Sequence, residues 1–436
     1  MKKVVKFGGS SLADAGQFRK VAAIVLGEES RRYVVPSAPG KRFKEDDKVT
    51  DLLLATYTAA RAGEDWEPIL DKIRARYDSI REELALSATL KHEFEEIEEN
   101  LRSGCSQDYM ASRGEYLNGI LLAEYLGYQF VDASRVIFFD EDGKYDAAKT
   151  MKVMRVILAG CDRAVIPGFY GALPDGRIKT FSRGGSDITG AIVAQAVNAD
   201  LYENWTDVSG FLMCDPRIVE NPRPIQTITY RELRELSYMG ATVLHADSIF
   251  PVKEAGIPIN IRNTNHPEDE GTMIVAHAGV APGGDVITGI AGHKGFVVIR
   301  IEKDMMNQEV GFALKVLQVL KDFNINFEHL PSGIDTMCVV LKEEEVRGRE
   351  NLLLSAMTQA THPDYICMDR GLALIAVVGR GMRSAKGTAS KVFEAAANAD
   401  VNIRMIDQGS SELNIILGIQ EEDFEKTIRN IYHAFY

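Results

Sequence analysis

The sequence predicts an α/β protein: a three-layer α/β/α domain on a mainly parallel sheet, followed by two copies of a smaller α/β module. Three observations predict it. Over the first two-thirds of the 436 residues, short β-branched runs alternate with helical stretches, which demands crossover connections and a sheet covered on both faces. Gly279, Pro282, Gly283 and Gly284 then cluster in His277–Asp285 and mark a linker. Beyond it, the order strand, helix, strand, strand, helix occurs twice.

In chain order, Val4–Phe7, Tyr33–Pro36, Gln129–Asp132, Ala164–Pro167 and Pro258–Arg262 are brief and β-branched, with Gly, Pro, Asp or Ser at their ends, the marks of buried strands. Between them, Gly114–Leu126 and Ile188–Val197 carry apolar residues at helical spacing. From Leu52 to Arg102 the character changes: Ile69, Leu70, Ile73, Tyr77, Ile80 and Leu84 form one apolar stripe on a long helix. Glu93, Glu95, Glu96, Glu98 and Glu99 follow on another helix, where a solvated face explains them better than a metal does. In the tail the first copy runs Phe296–Glu302, Gly311–Phe323, Asn326–Leu330, Met337–Lys342 and Arg349–Thr361, with Tyr365–Met368 as one further strand. The second runs Leu372–Val378, Lys386–Asn398, Val401–Asp407, Leu413–Ile419 and Glu422–Ala434. Ile325-Asn326-Phe327 in the first copy corresponds to Val401-Asn402-Ile403 in the second. Lacking its last strand, the second copy would leave a sheet edge open, and Val286–Ala291 is placed to fill it. The expected boundaries are 1–278 for the large domain, 292–370 for the first small module, and 285–291 with 371–436 for the discontinuous second.

Composition narrows the function classes. Acidic residues outnumber basic ones 63 to 50, a formal charge of -13, so nucleic acid and anionic membrane are disfavoured partners and an anionic substrate needs a locally basic pocket. Cys105, Cys161, Cys214, Cys338 and Cys367 form no C-x-x-C pair, which fits a reducing cytosol and argues against zinc or a disulfide framework. No apolar run approaches the ~18 residues of a membrane span. Met1-Lys2-Lys3 precedes too short an apolar stretch for a signal peptide and reads as the start of a strand. The expectation is a soluble cytoplasmic protein, in which the sequon Asn204-Trp205-Thr206 is a chance match. The eight histidines show no H-E-x-x-H; His245 reads as structural, and Gly379-Arg380-Gly381 lacks the third glycine of a dinucleotide motif.

Four segments carry chemistry. Lys6-Phe7-Gly8-Gly9-Ser10-Ser11 follows the first strand: the glycines allow close backbone approach, and Ser10 and Ser11 are N-cap types for the helix holding Phe18, Val21 and Ile24. A helix start with a lysine beside it suits phosphate, although an ordinary glycine turn with a surface lysine reads the same way. Ser182-Arg183-Gly184-Gly185-Ser186-Asp187 repeats the pattern and adds a guanidinium for a carboxylate. Two such turns at strand ends converge where ligands bind open α/β sheets. Thr206-Asp207-Val208-Ser209-Gly210 with Asp215-Pro216-Arg217 offers a nucleotide pair in Asp207 and Arg217, or simply a loop. Glu115 is expected to open a helix, where the dipole favours a carboxylate.

Together these segments resemble the aspartate kinases of the amino-acid-kinase superfamily. The resemblance includes Ser37-Ala38-Pro39-Gly40, Val49-Thr50-Asp51-Leu52-Leu53, Ser112–Glu115 and Pro167-Gly168-Phe169, and covers essentially the whole chain. The tail resembles paired ferredoxin-like βαββαβ ACT domains, through Pro331–Thr336 and Gln408-Gly409-Ser410-Ser411. The chain stops after the second ACT unit, without the homoserine dehydrogenase half of bifunctional relatives. The resemblance implies ATP-dependent, Mg2+-assisted phosphorylation of the L-aspartate side chain. By position, Lys6 and Asp187 would be catalytic, with Thr50, Glu115, Arg183 and Ser186 on the amino acid. Lys6, Gly8, Gly9, Ser10, Thr206, Asp207 and Arg217 would hold the nucleotide. An end-product effector, lysine or threonine or both, would meet Met306, Gly311, Phe312, Glu328, Asn402 and Ile403, across a homodimer or larger assembly. Leu212, Ser182 and Ala246 depart from the family pattern, which often has tyrosine, glycine and proline there. A related kinase of different substrate and a catalytically silent ACT-based sensor are the competing readings.

Overall fold

The computed structural model describes residues 1–182, 184–240, 244, 249–279 and 284–436. They divide into two compact units: Met1–Phe211, Pro224–Leu233 and Val243–Ala278 in the first, and Leu212–Arg223, Arg234–Thr242 and Gly279–Tyr436 in the second.

The first unit opens with β1 (Lys3–Phe7), α1 (Ala15–Leu26), β2 (Arg31–Pro36), then helices α2 (Val49–Ala62), α3 (Glu67–Glu83), α4 (Lys91–Ser103) and α5 (Gln107–Leu126). It continues with β3 (Gln129–Phe130), α6 (Ala147–Ala159), β4 (Ala164–Val165), a hairpin of β5 (Tyr170–Ala172) and β6 (Ile178–Thr180), α7 (Gly185–Ala196) and β7 (Leu201–Thr206). β8 (Thr227–Thr229), α8 (Tyr230–Tyr238), α9 (Phe250–Ala255), β9 (Ile259–Asn263) and β10 (Thr272–Val275) complete the numbering, with α8 running on into the second unit. The main sheet has the order β3-β4-β2-β1-β7-β9-β10-β8, and only β9 with β10 is antiparallel. β1 is central and buried along its whole length, as expected of a parallel strand covered on both faces. Val5 and Phe7 face one core with Phe18, Tyr77, Leu117 and Trp205, leaving Lys6, by alternation, to the α7 side.

Two local expectations are corrected. Ser10 and Ser11 do not cap α1: Gly9–Leu12 is a 3-10 turn, and Asp14 caps the helix by accepting from the Gln17 amide at 2.9 Å. Glu115 does not open a helix, because α5 starts at Gln107 behind the Ser106 cap. Gly114 is there for packing: a Cβ at that position would lie 2.7 Å from the Ala38 Cβ.

In the second unit β11 (Gly289–Glu302), α10 (Phe312–Asp322), β12 (Thr336–Lys342), α11 (Glu343–Val346), α12 (Glu350–Thr361), β13 (Tyr365–Val378), α13 (Thr388–Asn398), β14 (Met405–Asp407), β15 (Asn414–Gln420) and α14 (Phe424–Phe435) form one sheet of order β12-β11-β13-β15-β14 with its helices. β11 and β13 each pass through both copies of the repeat: Phe296–Glu302 pairs with β12, while Gly289–His293 pairs with Leu374–Val378. The expected strand Asn326–Leu330 is not one. Only isolated bridges, His329 to Val340 and Ser332 to Met337, tie this stretch to β12, because Asn324 turns the chain at a φ of 52° and Pro331 lacks a ladder donor. The strand expected at Val401–Asp407 shortens to Met405–Asp407, so Asn402 and Ile403 lie in the loop before it.

Candidate active site

Lys6 is one of three polar side chains that bond one another beneath the surface. Its Nζ lies 2.7 Å from Asp187 Oδ1, in the first turn of α7, and 3.5 Å from Asn204 Oδ1 on β7. Asn204 Nδ2 donates to the same Asp187 oxygen at 2.8 Å. The register that pairs Lys6 with Asn204 across β1 and β7 makes this possible. Lys6 is only 8% exposed, so its charge works in a medium that screens weakly.

The two glycine turns are shaped by backbone contact. The Gly8 amide donates to the Trp205 carbonyl at 2.9 Å and the Gly40 amide to the Gly9 carbonyl at 2.8 Å. A Cβ on Gly40 would sit 2.7 Å from the Gly9 carbonyl carbon and one on Gly9 2.8 Å from the Ala38 carbonyl oxygen, so neither position admits a larger residue without moving. On the other turn, Gly184 holds a left-handed φ of 58° ahead of α7. Ser186 is buried against the Pro167–Phe169 loop, where a Cβ on Gly168 would meet its Oγ at 2.6 Å. Phe169 itself takes a φ of 82° and donates its amide to Thr189 Oγ1 at 3.1 Å. Arg183 lies outside the described residues, as do His245 and Ala246.

Glu115 lies inside α5, 6% exposed, and accepts from the Ala38 amide. Its Oε2 has no partner among the described residues. Burial pushes its pKa up to about 8, with the Ala38 amide and the Lys6 charge pulling only partly in the other direction. One turn on, Asn118 Nδ2 donates to the Ser37 carbonyl at 2.7 Å, and its Oδ1 is also unpartnered. Thr50 and Ser182 line a cavity of about 600 Å³ with Asp108, Phe169, Lys179 and Phe181. Thr206 Oγ1 donates to Asp207 Oδ1 at 3.2 Å at the end of β7.

In the second unit Arg217 forks onto Asp215, at 2.6 and 3.0 Å, with its side chain 89% exposed. There too Met306 and Phe312 are buried in the core of the first repeat, and Gly311 precedes α10 with a φ of 86°. The Glu328 carboxylate is 4% exposed and accepts from Tyr238 Oη at 2.5 Å. Sequence reasoning missed Asn204, dismissed as a chance sequon, and Asn118. Two adjacent polar residues, Glu203-Asn204, inside the otherwise apolar run Leu201–Trp205 were the signal for the first.

With this geometry in hand, comparison with known proteins is specific. Residues 1–263 match the amino acid kinase family and residues 375–435 the ACT domain. Aspartokinase 3 of Bacillus subtilis is 39% identical over 452 residues, covering 100% of this chain and 98% of its own length. The crystal structure of Clostridium acetobutylicum aspartate kinase superposes with a TM-score of 0.92 at 50% identity, over 100% of both chains. Escherichia coli aspartokinase III is similar at TM-scores of 0.76 in its complex with aspartate and ADP (R-state) and 0.75 with lysine and aspartate (T-state), at 27% and 26% identity, over 100% of this chain and 99% of that one.

Proposed function

The chain belongs to the aspartokinases of the amino acid kinase family, and on that footing we propose that it transfers the γ-phosphoryl group of ATP to the side-chain carboxylate of L-aspartate, giving 4-phospho-L-aspartate. This is the first step toward lysine, threonine and methionine. The observation that carries the reading from this chain's own residues is the buried Lys6 ammonium, held by Asp187 at the start of α7 and by Asn204 on β7, beside the glycine turn that leaves β1.

The chemistry needs little else. A free aspartate side chain, with a pKa of about 3.9, is already ionised at neutral pH, so no general base is required. The obstacle is repulsion between two anions, and its remedy is positioning with fixed positive charge. Lys6 neutralises charge on the transferring group, while Asp187 and Asn204 keep its ammonium in place. The Gly8–Ser10 turn and the Thr206–Asp207 strand end hold nucleotide phosphate and sugar, and the resemblance gives Arg217, in the second unit, a nucleotide role of its own. Glu115 receives the substrate's ammonium, Arg183 its α-carboxylate, and Thr50 and Ser186 close the pocket. Mg2+ would fit here as part of the nucleotide complex, since it is ordinarily held by phosphate oxygens, water and one or two carboxylates, and Asp187 stands beside Lys6 as such a carboxylate. When bound it shields the phosphate charge.

Regulation is read from the tail. The lysine complex of the E. coli relative supports lysine as effector, and the two ACT copies, 292–370 and 285–291 with 371–436, are the proposed binding module and assembly surface. The direct test is a hydroxamate assay with ATP, aspartate and hydroxylamine. Aspartyl hydroxamate, absent with glutamate, is expected. Product from another acid, or none with aspartate, would remove the assignment and favour a related kinase or an amino-acid sensor.

A further inference from the structure

The loop that carries Asp215 and Arg217 is fastened at its base to the last helix of the chain. The Met213 amide donates to the Arg223 carbonyl at 2.9 Å, closing the loop on itself. The Met213 carbonyl accepts from the Ile290 amide of β11 at 2.7 Å. On the other limb the Arg223 amide donates to Tyr432 Oη of α14 at 3.0 Å. The Arg223 guanidinium stacks 4.8 Å from the ring centre of Tyr436, whose own hydroxyl donates to the Ile287 carbonyl at 2.9 Å. At the tip the Ile218 carbonyl accepts from Arg429 of α14 at 3.4 Å, whereas the Arg217 side chain is exposed and, among the described residues, braced only by Asp215. The loop backbone is thus held by the second ACT copy, while the Arg217 side chain stands exposed to meet a ligand.

We propose that Tyr432 is a positioning residue for the nucleotide: by holding the Arg223 amide it fixes the base of the Leu212–Arg223 loop and the direction in which Arg217 is presented. This rests on the reading of Arg217 as a nucleotide contact. A displacement of α14 reaches the loop through two hydrogen bonds, from Tyr432 Oη to the Arg223 amide and from Arg429 to the Ile218 carbonyl at 3.4 Å, and the chain end adds the Arg223–Tyr436 stack. A loop competent only part of the time weakens binding in proportion to that fraction.

The test uses full-length protein without effector, measuring initial rates with ATP and aspartate varied in turn for Tyr432→Phe, Arg217→Ala and the double variant. Tyr432→Phe should raise the KM for ATP about 3- to 10-fold, the worth of one hydrogen bond, and leave the KM for aspartate within about 2-fold. Arg223→Ala, which keeps Tyr432, should raise the KM for ATP with the same selectivity. In the Arg217→Ala background Tyr432→Phe should add nothing, a non-additivity that purely structural damage would not give. A rise in both KM values, no rise, or the full effect persisting without Arg217 overturns the proposal. If Arg217→Ala raises the KM for ATP but Tyr432→Phe is silent, the anchoring alone is wrong. If Arg217→Ala leaves that KM unchanged, the nucleotide reading of Arg217 falls and the proposal with it.

Discussion

Glu115 is a buried acid with one oxygen unsatisfied among the described residues, a costly state that a substrate ammonium would relieve. With a pKa raised to about 8 by burial, it carries a proton at neutrality in the free protein. Aspartate must therefore displace that proton, and its KM should fall as pH rises from about 6 toward 8, then level off. Glu115→Gln should flatten the profile; an unchanged slope would take Glu115 out of substrate binding. The stability consequence has the opposite sign. A folded pKa above the unfolded 4.5 favours folding most below that value, and the contribution is lost as pH rises through about 8. Lys6 and Asp187 were legible in the sequence because glycine turns flank them. The burial of Glu115 was not, since Gly114 reads locally as a break and only the packing against Ala38 reveals its purpose.

Helix α3 shows what an apolar stripe conceals. Ile73, Tyr77 and Ile80 were readable as core, but Arg76, on the same helix, is 6% exposed. It reaches Asp46 at 2.7 Å, the Gly40 carbonyl at 3.1 Å and the Ala13 carbonyl at 3.4 Å. Its neighbour Tyr77 donates to the Gly114 carbonyl at 2.7 Å. The helix therefore braces both the Gly40 turn, which presses on Gly9, and the backbone beside Glu115. Arg42 still forks onto Asp46 at 2.9 and 3.0 Å, so Arg76→Ala leaves the carboxylate paired but strips the Gly40 and Ala13 carbonyls of this donor, and should cost about 1–3 kcal/mol in urea unfolding. A loss under about 1 kcal/mol would place the pair in the class of solvated ion pairs instead. Elements whose pattern is local, such as β1 and α3, could be read from the chain. The stretch Asn326–Leu330 could not, because its apolar residues suggest a strand while Pro331 and the turn at Asn324 limit it to single bridges.

Over the whole molecule, the repeat in the tail was readable from its order of elements, whereas the continuity of β11 and β13 through both copies was hidden by glycines that suggest breaks. Effector control requires that ligand bind two states unequally, and the coupling is reciprocal. Activity titrated with lysine, threonine and their mixture should fall with lysine, and the lysine curve should move to higher concentration in Glu328→Ala and Asn402→Ala with uninhibited rate retained. Superimposable curves for both variants would exclude the proposed effector site. Since Glu328 is bonded to Tyr238 within the second unit, its loss also frees the end of α8.

The central claim is that Lys6 supplies the positive charge that lets two anions react. Turnover of Lys6→Ala, at saturating ATP and aspartate and with its circular dichroism and melting matched to the parent, tests it most directly. The account predicts a fall of about 10²–10³-fold, the scale of a lost charge stabiliser in a water-poor site. Turnover within a few-fold of the parent would contradict it.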